Sequence, residues 1–125
     1  MKRSNPYGVP FSVPHLILTD RSQYRLYYFE YGQIVQVFNC VLGRPGLETP
    51  LGHFQVYSKG VNPGGPFGVR VLWYHGGCGI HGTNEPWLLS RFPRNFSHGC
   101  TRMLNPNALW LFNHCPIGTP VWNVL

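Results

Sequence analysis

Apolar residues along this chain come in short bursts divided by polar and turn-forming positions. His15 to Asp20, Gln23 to Glu30 and Gln33 to Leu42 are rich in β-branched and aromatic residues, and Asp20-Arg21-Ser22 and Tyr31-Gly32 separate them. Turn chemistry between such bursts reverses the chain, so the pattern predicts an antiparallel meander. Polar interruptions within Tyr24 to Phe29 and Ile34 to Phe38 predict sheets with one wetter face. A loop from Arg44 to Gly52 precedes a strand from His53 to Ser58, and a tighter loop, Asn62 to Gly68, follows it. Val69 to Tyr74 reads as a buried strand that delivers the chain to His75-Gly76-Gly77-Cys78-Gly79-Ile80-His81-Gly82, where glycine allows close backbone approach. Asn105 followed by Pro106 starts a helix, with Asn105 accepting the orphan amides of its first turn. That helix runs to His114 with Ala108, Leu109, Leu111 and Phe112 on its apolar face, and Gly118-Thr119-Pro120 turns into a last strand, Val121 to Val124.

These elements predict a mainly β domain with a strand-on-strand core and one short C-terminal helix, spanning residues 13–125 after an N-terminal tail of residues 1–12. No repeat, linker or second domain interrupts it. A chain of 125 residues with 43% hydrophobic content suits one domain with a real core. Ten Lys and Arg against four Asp and Glu give a formal charge of +6, which favours an anionic partner such as a wall polymer, a nucleic acid or a membrane surface. The basic residues are scattered and form no nucleic-acid module, so a nucleic-acid partner is set aside. Met1-Lys2-Arg3 is followed by Pro6, Gly8, Pro10 and Pro14 where a signal peptide would carry its apolar helix, and no apolar run is long enough to cross a bilayer. A soluble product without a secretion signal is expected.

Of the four cysteines, Cys40, Cys78 and Cys115 read as small hydrophobes in a chain apolar enough to need no disulfide staples. Cys100 differs, because chemistry surrounds it. Nucleophilic catalysis by cysteine needs a thiolate, a base to make it, and donors for the oxyanion that forms on the attacked carbonyl. In Ser97-His98-Gly99-Cys100, Gly99 leaves space beside the nucleophile for backbone amides to face a substrate oxygen. His98 and His81 compete for the role of base. His81 suits it better, since a base usually approaches from a separate element and has its tautomer fixed by a partner.

With His81-Gly82-Thr83, fifteen residues intervening between His81 and Ser97, and then Ser97-His98-Gly99-Cys100-Thr101-Arg102-Met103, the sequence resembles the L,D-transpeptidase (YkuD-like) catalytic domains. Thr49-Pro50-Leu51-Gly52-His53-Phe54 and Asn62-Pro63-Gly64-Gly65-Pro66-Phe67-Gly68 extend the resemblance over nearly the whole chain from Val13. It implies a β-sandwich-like catalytic fold without a metal or organic cofactor. Cys100 would attack the diaminopimelate–D-Ala bond of a peptidoglycan tetrapeptide stem, and an amine of a second stem would resolve the thioester as a 3→3 cross-link. His81 would be the base and the Gly82 carbonyl its orienter. Ser97, His98 and Gly99 would line the oxyanion site together with Cys100, while Arg102 would hold the motif or the substrate's carboxylate. Arg102 stands where many relatives carry Asn. The resemblance also implies a bacterial cell envelope or spore wall as the setting, with peptidoglycan stem peptides as donor and acceptor.

Three other readings share these residues. An L,D-carboxypeptidase-type hydrolase of the same stem differs only in letting water resolve the thioester. Cys78, His81, His98 and Cys100 could instead close a structural zinc site, and a wall-associated binding module could keep the fold without turnover. His15, His53, His75 and His114 are assigned no role, although His53 and His75 could reach a cleft rim. Tyr24, Tyr27, Tyr28, Trp73 and Trp110 read as core and cleft wall, whereas Trp87 falls in the stretch Glu85 to Asn95, a candidate lid.

Overall fold

The computed structural model describes residues 6–125. In chain order the described residues form β1 (Leu16–Asp20), β2 (Arg25–Glu30), β3 (Gln33–Asn39), β4 (Leu42–Gly43), β5 (Gly52–Gln55), β6 (Ser58–Val61), β7 (Arg70–His75), β8 (Cys78–His81), β9 (Asn95–Ser97), β10 (Thr101–Arg102), α1 (Asn105–His114) and β11 (Pro120–Val124). A mainly β domain with one α-helix results, as the sequence pattern predicts.

β1, β2 and β3 are the expected antiparallel meander. They belong to a five-stranded sheet in the order β3-β2-β1-β11-β5, because the last strand inserts beside the first. β11 pairs parallel with β1, with Ile17 opposite Val121, and antiparallel with β5. A second sheet runs β10-β8-β7-β6, and the short strands β4 and β9 form a separate parallel pair.

Several boundaries differ from the sequence reading for identifiable reasons. The strand expected from His53 to Ser58 divides between the two sheets: β5 ends at Gln55, and β6 begins at Ser58. Val56 and Tyr57 make the crossing, one amide bonding Thr119, just before β11 of the first sheet, and the other Trp73 in the second. β3 stops at Asn39 instead of Leu42, since the Cys40 amide turns back to the Tyr24 carbonyl and the Arg94 guanidinium takes the Cys40 carbonyl at 3.1 Å.

The expected wet face is absent from β2. Leu26 and Tyr28 enter the main core with Ile17, Leu72, Ile80, Met103, Ala108 and Leu111, while Tyr27 and Phe29 are buried on the other face. Val9, Leu16 and Leu18 share that second cluster, and Tyr7 and Val13 pack against it. Apolar cover from residues 7–13 removes water from a face that alternation alone would leave wet.

Asn105 is also placed differently from its expected capping role. Leu104 occupies the cap position, Asn105 is the first helical residue, and no side chain caps the helix. Its amide is used elsewhere, in the site below.

Candidate active site

Two parallel neighbours, β8 and β10, bring the sequence-predicted residues together. Thr101 lies opposite Ile80 and Arg102 opposite His81, so one further step back in this parallel register places Cys100 beside Gly79, two residues before His81 on β8. The turn before β10 is held by short polar contacts. Ser97 Oγ donates to the Cys100 carbonyl at 2.6 Å and accepts from the Gly99 amide at 3.1 Å. Gly99 has φ of 118°, a region that side chains disfavour, so glycine is required here by conformation. Thr49, buried in the preceding loop, donates from Oγ1 to the Gly99 carbonyl at 2.9 Å and accepts from the Gly43 amide at 3.0 Å.

His81 closes β8 and is 2% exposed. Its Nδ1 lies 2.5 Å from the Gly82 carbonyl. A carbonyl can only accept, so Nδ1 carries the proton and Nε2 is left as the acceptor. Burial, offset in part by the Gly82 bond and reinforced by the nearby Arg102 charge, lowers the imidazole pKa to about 4. The ring is therefore neutral at physiological pH. Phe67, from the Asn62 to Gly68 loop, meets it edge-on at a centroid distance of 5.0 Å.

Asn105 holds this turn from the helix start. Its Nδ2 donates to the Thr83 carbonyl and its Oδ1 accepts from the Thr83 amide, both at 3.1 Å. A Cβ on Gly82 would stand 1.9 Å from Asn105 Oδ1, and one on Gly68 would stand 2.2 Å from it. Both glycines are thus close-approach positions around one amide. Asn105→Ala is expected to cost about 1–3 kcal/mol, the usual range for losing such a pair and leaving partners unpaired, and to slow reaction at Cys100 by loosening His81. Chemical denaturation and thiol alkylation rates measured on the same variant check both expectations.

Cys100 and His81 open into one pocket of about 250 Å³, lined also by Pro66, Phe67, Gly77, Ser97, His98 and Arg102. The thiol bonds the Gly77 carbonyl at 3.5 Å, and no hydrogen bond joins it to the imidazole. Burial pushes the Cys100 thiol above its ordinary range, opposed by the Gly79 amide and the Arg102 charge. The pair therefore rests as neutral thiol and neutral imidazole. A larger groove of about 360 Å³, between Val13–His15 and Pro116–Pro120, contains no cysteine and lies outside this constellation.

Of the other sequence candidates, Ser97 is buried, His98 is exposed at the pocket wall, and Arg102 is held by an ion pair to Glu85 at 3.1 Å. The expected zinc ligands do not assemble: among the described residues no three His, Cys, Asp or Glu side chains group to hold a metal ion. Cys78 packs toward the core, while Cys40 and Cys115 are buried thiols pushed up to about 12 by desolvation. His53 stacks on Trp122 and His75 packs on Phe54, both away from the pocket lining. Trp87 sits in a 3-10 turn, Pro86–Ser90, is 56% exposed, and also stays off the lining.

The sequence reading assigned no role to the supports Thr49, Glu85 and Gly77, and it gave Asn105 the wrong one. Thr49 and Gly77 lie within the motif stretches, so their position was a signal. Glu85 carried none beyond following His81-Gly82-Thr83.

The YkuD family profile, which describes the L,D-transpeptidase catalytic domain, matches residues 14–122. The chain belongs to this family. YkuD of Bacillus licheniformis is 35% identical over 115 residues, covering 90% of this chain and 67% of its own length. L,D-transpeptidase 1 of Mycobacterium tuberculosis is 27% identical over 110 residues, covering 72% of this chain and 42% of its own. Among solved structures, an L,D-transpeptidase from Mycobacterium smegmatis superposes with a TM-score of 0.79 at 22% identity, covering 90% of this chain and 59% of that one. L,D-transpeptidase 3 of M. tuberculosis, in complex with a faropenem-derived adduct, gives a TM-score of 0.77 at 23% identity, covering 90% and 60%. The domain thus spans about two thirds of its Bacillus relative and less than two thirds of these solved chains.

Proposed function

We propose that the protein is a peptidoglycan L,D-transpeptidase working through a thioester on Cys100. One observation carries this reading: a partly exposed thiol and a buried histidine, its Nδ1 tied to the Gly82 carbonyl, share one pocket. Nε2 of His81 takes the thiol proton as Sγ attacks the carbonyl between the L-centre of diaminopimelate and the terminal D-Ala. Imidazolium then gives that proton to the departing D-Ala amine, the C–N bond breaks, and the thioester remains. An amine of a second stem attacks the thioester, His81 accepts its proton, and the thiol is regenerated as the 3→3 amide forms.

The resting protonation states define how the pair starts. A neutral thiol beside a neutral imidazole calls for proton transfer during attack, with the 3.5 Å bond to Gly77 exchanged for one to His81 Nε2. The Gly99 amide is spent on Ser97 Oγ, so the oxyanion falls to the amides of His98 and Cys100, with Gly99 supplying the turn that aims them. Arg102 supplies positive charge at the wall for a donor carboxylate.

The family is associated with the bacterial cell wall, and no helix among the described residues is long and apolar enough to cross a membrane. We place the domain's work in the cell envelope or spore wall, on stem peptides as donor and acceptor. The formal +6 charge suits that anionic polymer.

Intact-protein mass spectrometry after incubation with a diaminopimelate-containing tetrapeptide, or with a carbapenem, tests the reading. An acyl adduct mapping to Cys100, with release of D-Ala from the peptide, is the expected result. Adding an amine acceptor should convert the adduct to a cross-linked dimer, whereas tripeptide alone would make the protein a hydrolase. Absence of any adduct would sink the proposal. Cys78→Ala is expected to leave acylation rates within about twofold, because this thiol packs toward the core and does not line the pocket.

A further inference from the structure

Arg102 is built into the site more tightly than a wall charge needs to be. Its backbone is clamped on both sides by Val41, which donates to the Arg102 carbonyl at 2.8 Å and accepts from its amide at 2.9 Å. Its side chain is only 12% exposed. Nη1 is spent on Glu85 Oε1 at 3.1 Å, Nε is buried without a partner, and Nη2 makes no hydrogen bond. One edge of the guanidinium fork is therefore occupied and the other is unused. Arg102 is also the one fixed cation lining the pocket that holds Cys100 and His81.

Glu85 stands on the occupied side. It does not line the pocket, its side chain is 42% exposed, and its amide donates to Thr83 Oγ1 at 3.0 Å. It is thus tethered to the turn that follows His81. From there it cannot compete for substrate inside the pocket, but it can fix which way the guanidinium plane lies.

We infer that Glu85 is a positioning residue: by holding Arg102 Nη1 from outside the pocket, it aims the free Nη2 at the C-terminal carboxylate of the donor. This rests on the transpeptidase reading and gives it a selectivity. Donors ending in a free carboxylate are preferred over the same peptides ending in an amide. A guanidinium N–H held in a fixed plane meets a carboxylate oxygen in a charge-assisted hydrogen bond, so fixing the plane fixes the direction of that bond. Without Glu85 the same charge remains, but its plane is no longer held.

The test measures kcat and KM for Cys100 acylation with two tetrapeptides, one with a C-terminal carboxylate and one with a C-terminal amide. The native protein is expected to favour the carboxylate donor by about tenfold or more in kcat/KM, the scale of one charge-assisted hydrogen bond. Arg102→Gln should bring the two donors to parity. Glu85→Ala should raise KM for the carboxylate donor several-fold, leaving its kcat and both constants for the amide donor nearly unchanged. Glu85→Gln keeps an oxygen that accepts from Nη1 and should restore most of the preference, which a purely charge-based role would not. The inference is overturned if native protein accepts both donors equally, or if Glu85→Ala leaves the preference intact or lowers KM for the carboxylate donor; in each case the transpeptidase reading survives. Failure of native protein to be acylated by either donor overturns both.

Discussion

Cys100→Ala is expected to abolish acyl-adduct formation while leaving the domain folded. Sulfur is the atom that forms the thioester, and alanine offers nothing in its place. The cost to stability should be under about 1 kcal/mol, because the thiol is partly exposed and its hydrogen bond to the Gly77 carbonyl is a long contact. Intact mass spectra with tetrapeptide or carbapenem, paired with thermal unfolding curves for both proteins, check the two halves. Persistence of an equivalent adduct in the variant would move the nucleophile elsewhere, with Cys78 the first residue to examine.

His81→Ala is expected to reduce the acylation rate by about 10²–10⁴, the usual contribution of a positioned general base. The pH profile gives a sharper test. With a pKa of about 4, His81 keeps its proton-accepting Nε2 free well below the range where an ordinary histidine protonates. Acylation by the native protein should therefore hold as pH falls through 6.5 and decline only near 4, and the variant should lose that limb. An acid limb centred at 6.5 would point to a base other than His81. The same depression acts on stability. An imidazole near 6.5 in the unfolded chain but near 4 in the folded one binds protons preferentially when unfolded, so its full contribution is present above 6.5. It is lost as pH falls from 6.5 through 4. His81→Ala removes this proton linkage, so the variant's unfolding midpoint should vary less over that interval.

Much of the local structure was legible because it depends on local chemistry. Three apolar bursts divided by turn residues became β1 to β3, and Pro106 marked the first turn of α1. Alternation misled at β2, where burial on the second face comes from Val9 and its neighbours, outside the strand whose pattern was being read. At Val56 and Tyr57 the apolar run continues while the hydrogen-bond partners change sheet, and residue type alone carries no mark of that exchange.

At the site the same division holds. Residue type and spacing named Cys100, His81 and the glycine turn beside the cysteine, since nucleophile, base and close backbone approach each demand particular residues. The relation between those residues lay in long-range pairing. The parallel register of β8 and β10 sets the thiol and imidazole at one pocket, and Asn105 reaches 22 residues back to clamp Thr83. Thr49 braces Gly99 from 50 residues away. By itself, then, the sequence determined the strand-rich character, the helix and the reacting groups, because these follow from side-chain chemistry and short-range geometry. Only the tertiary structure decided which strands lie parallel, that the thiol rests on Gly77, and that Glu85 holds Arg102. Those are closures between distant segments, selected by packing and hydrogen-bond satisfaction across the whole fold, and they leave no period in the chain from which they could be read.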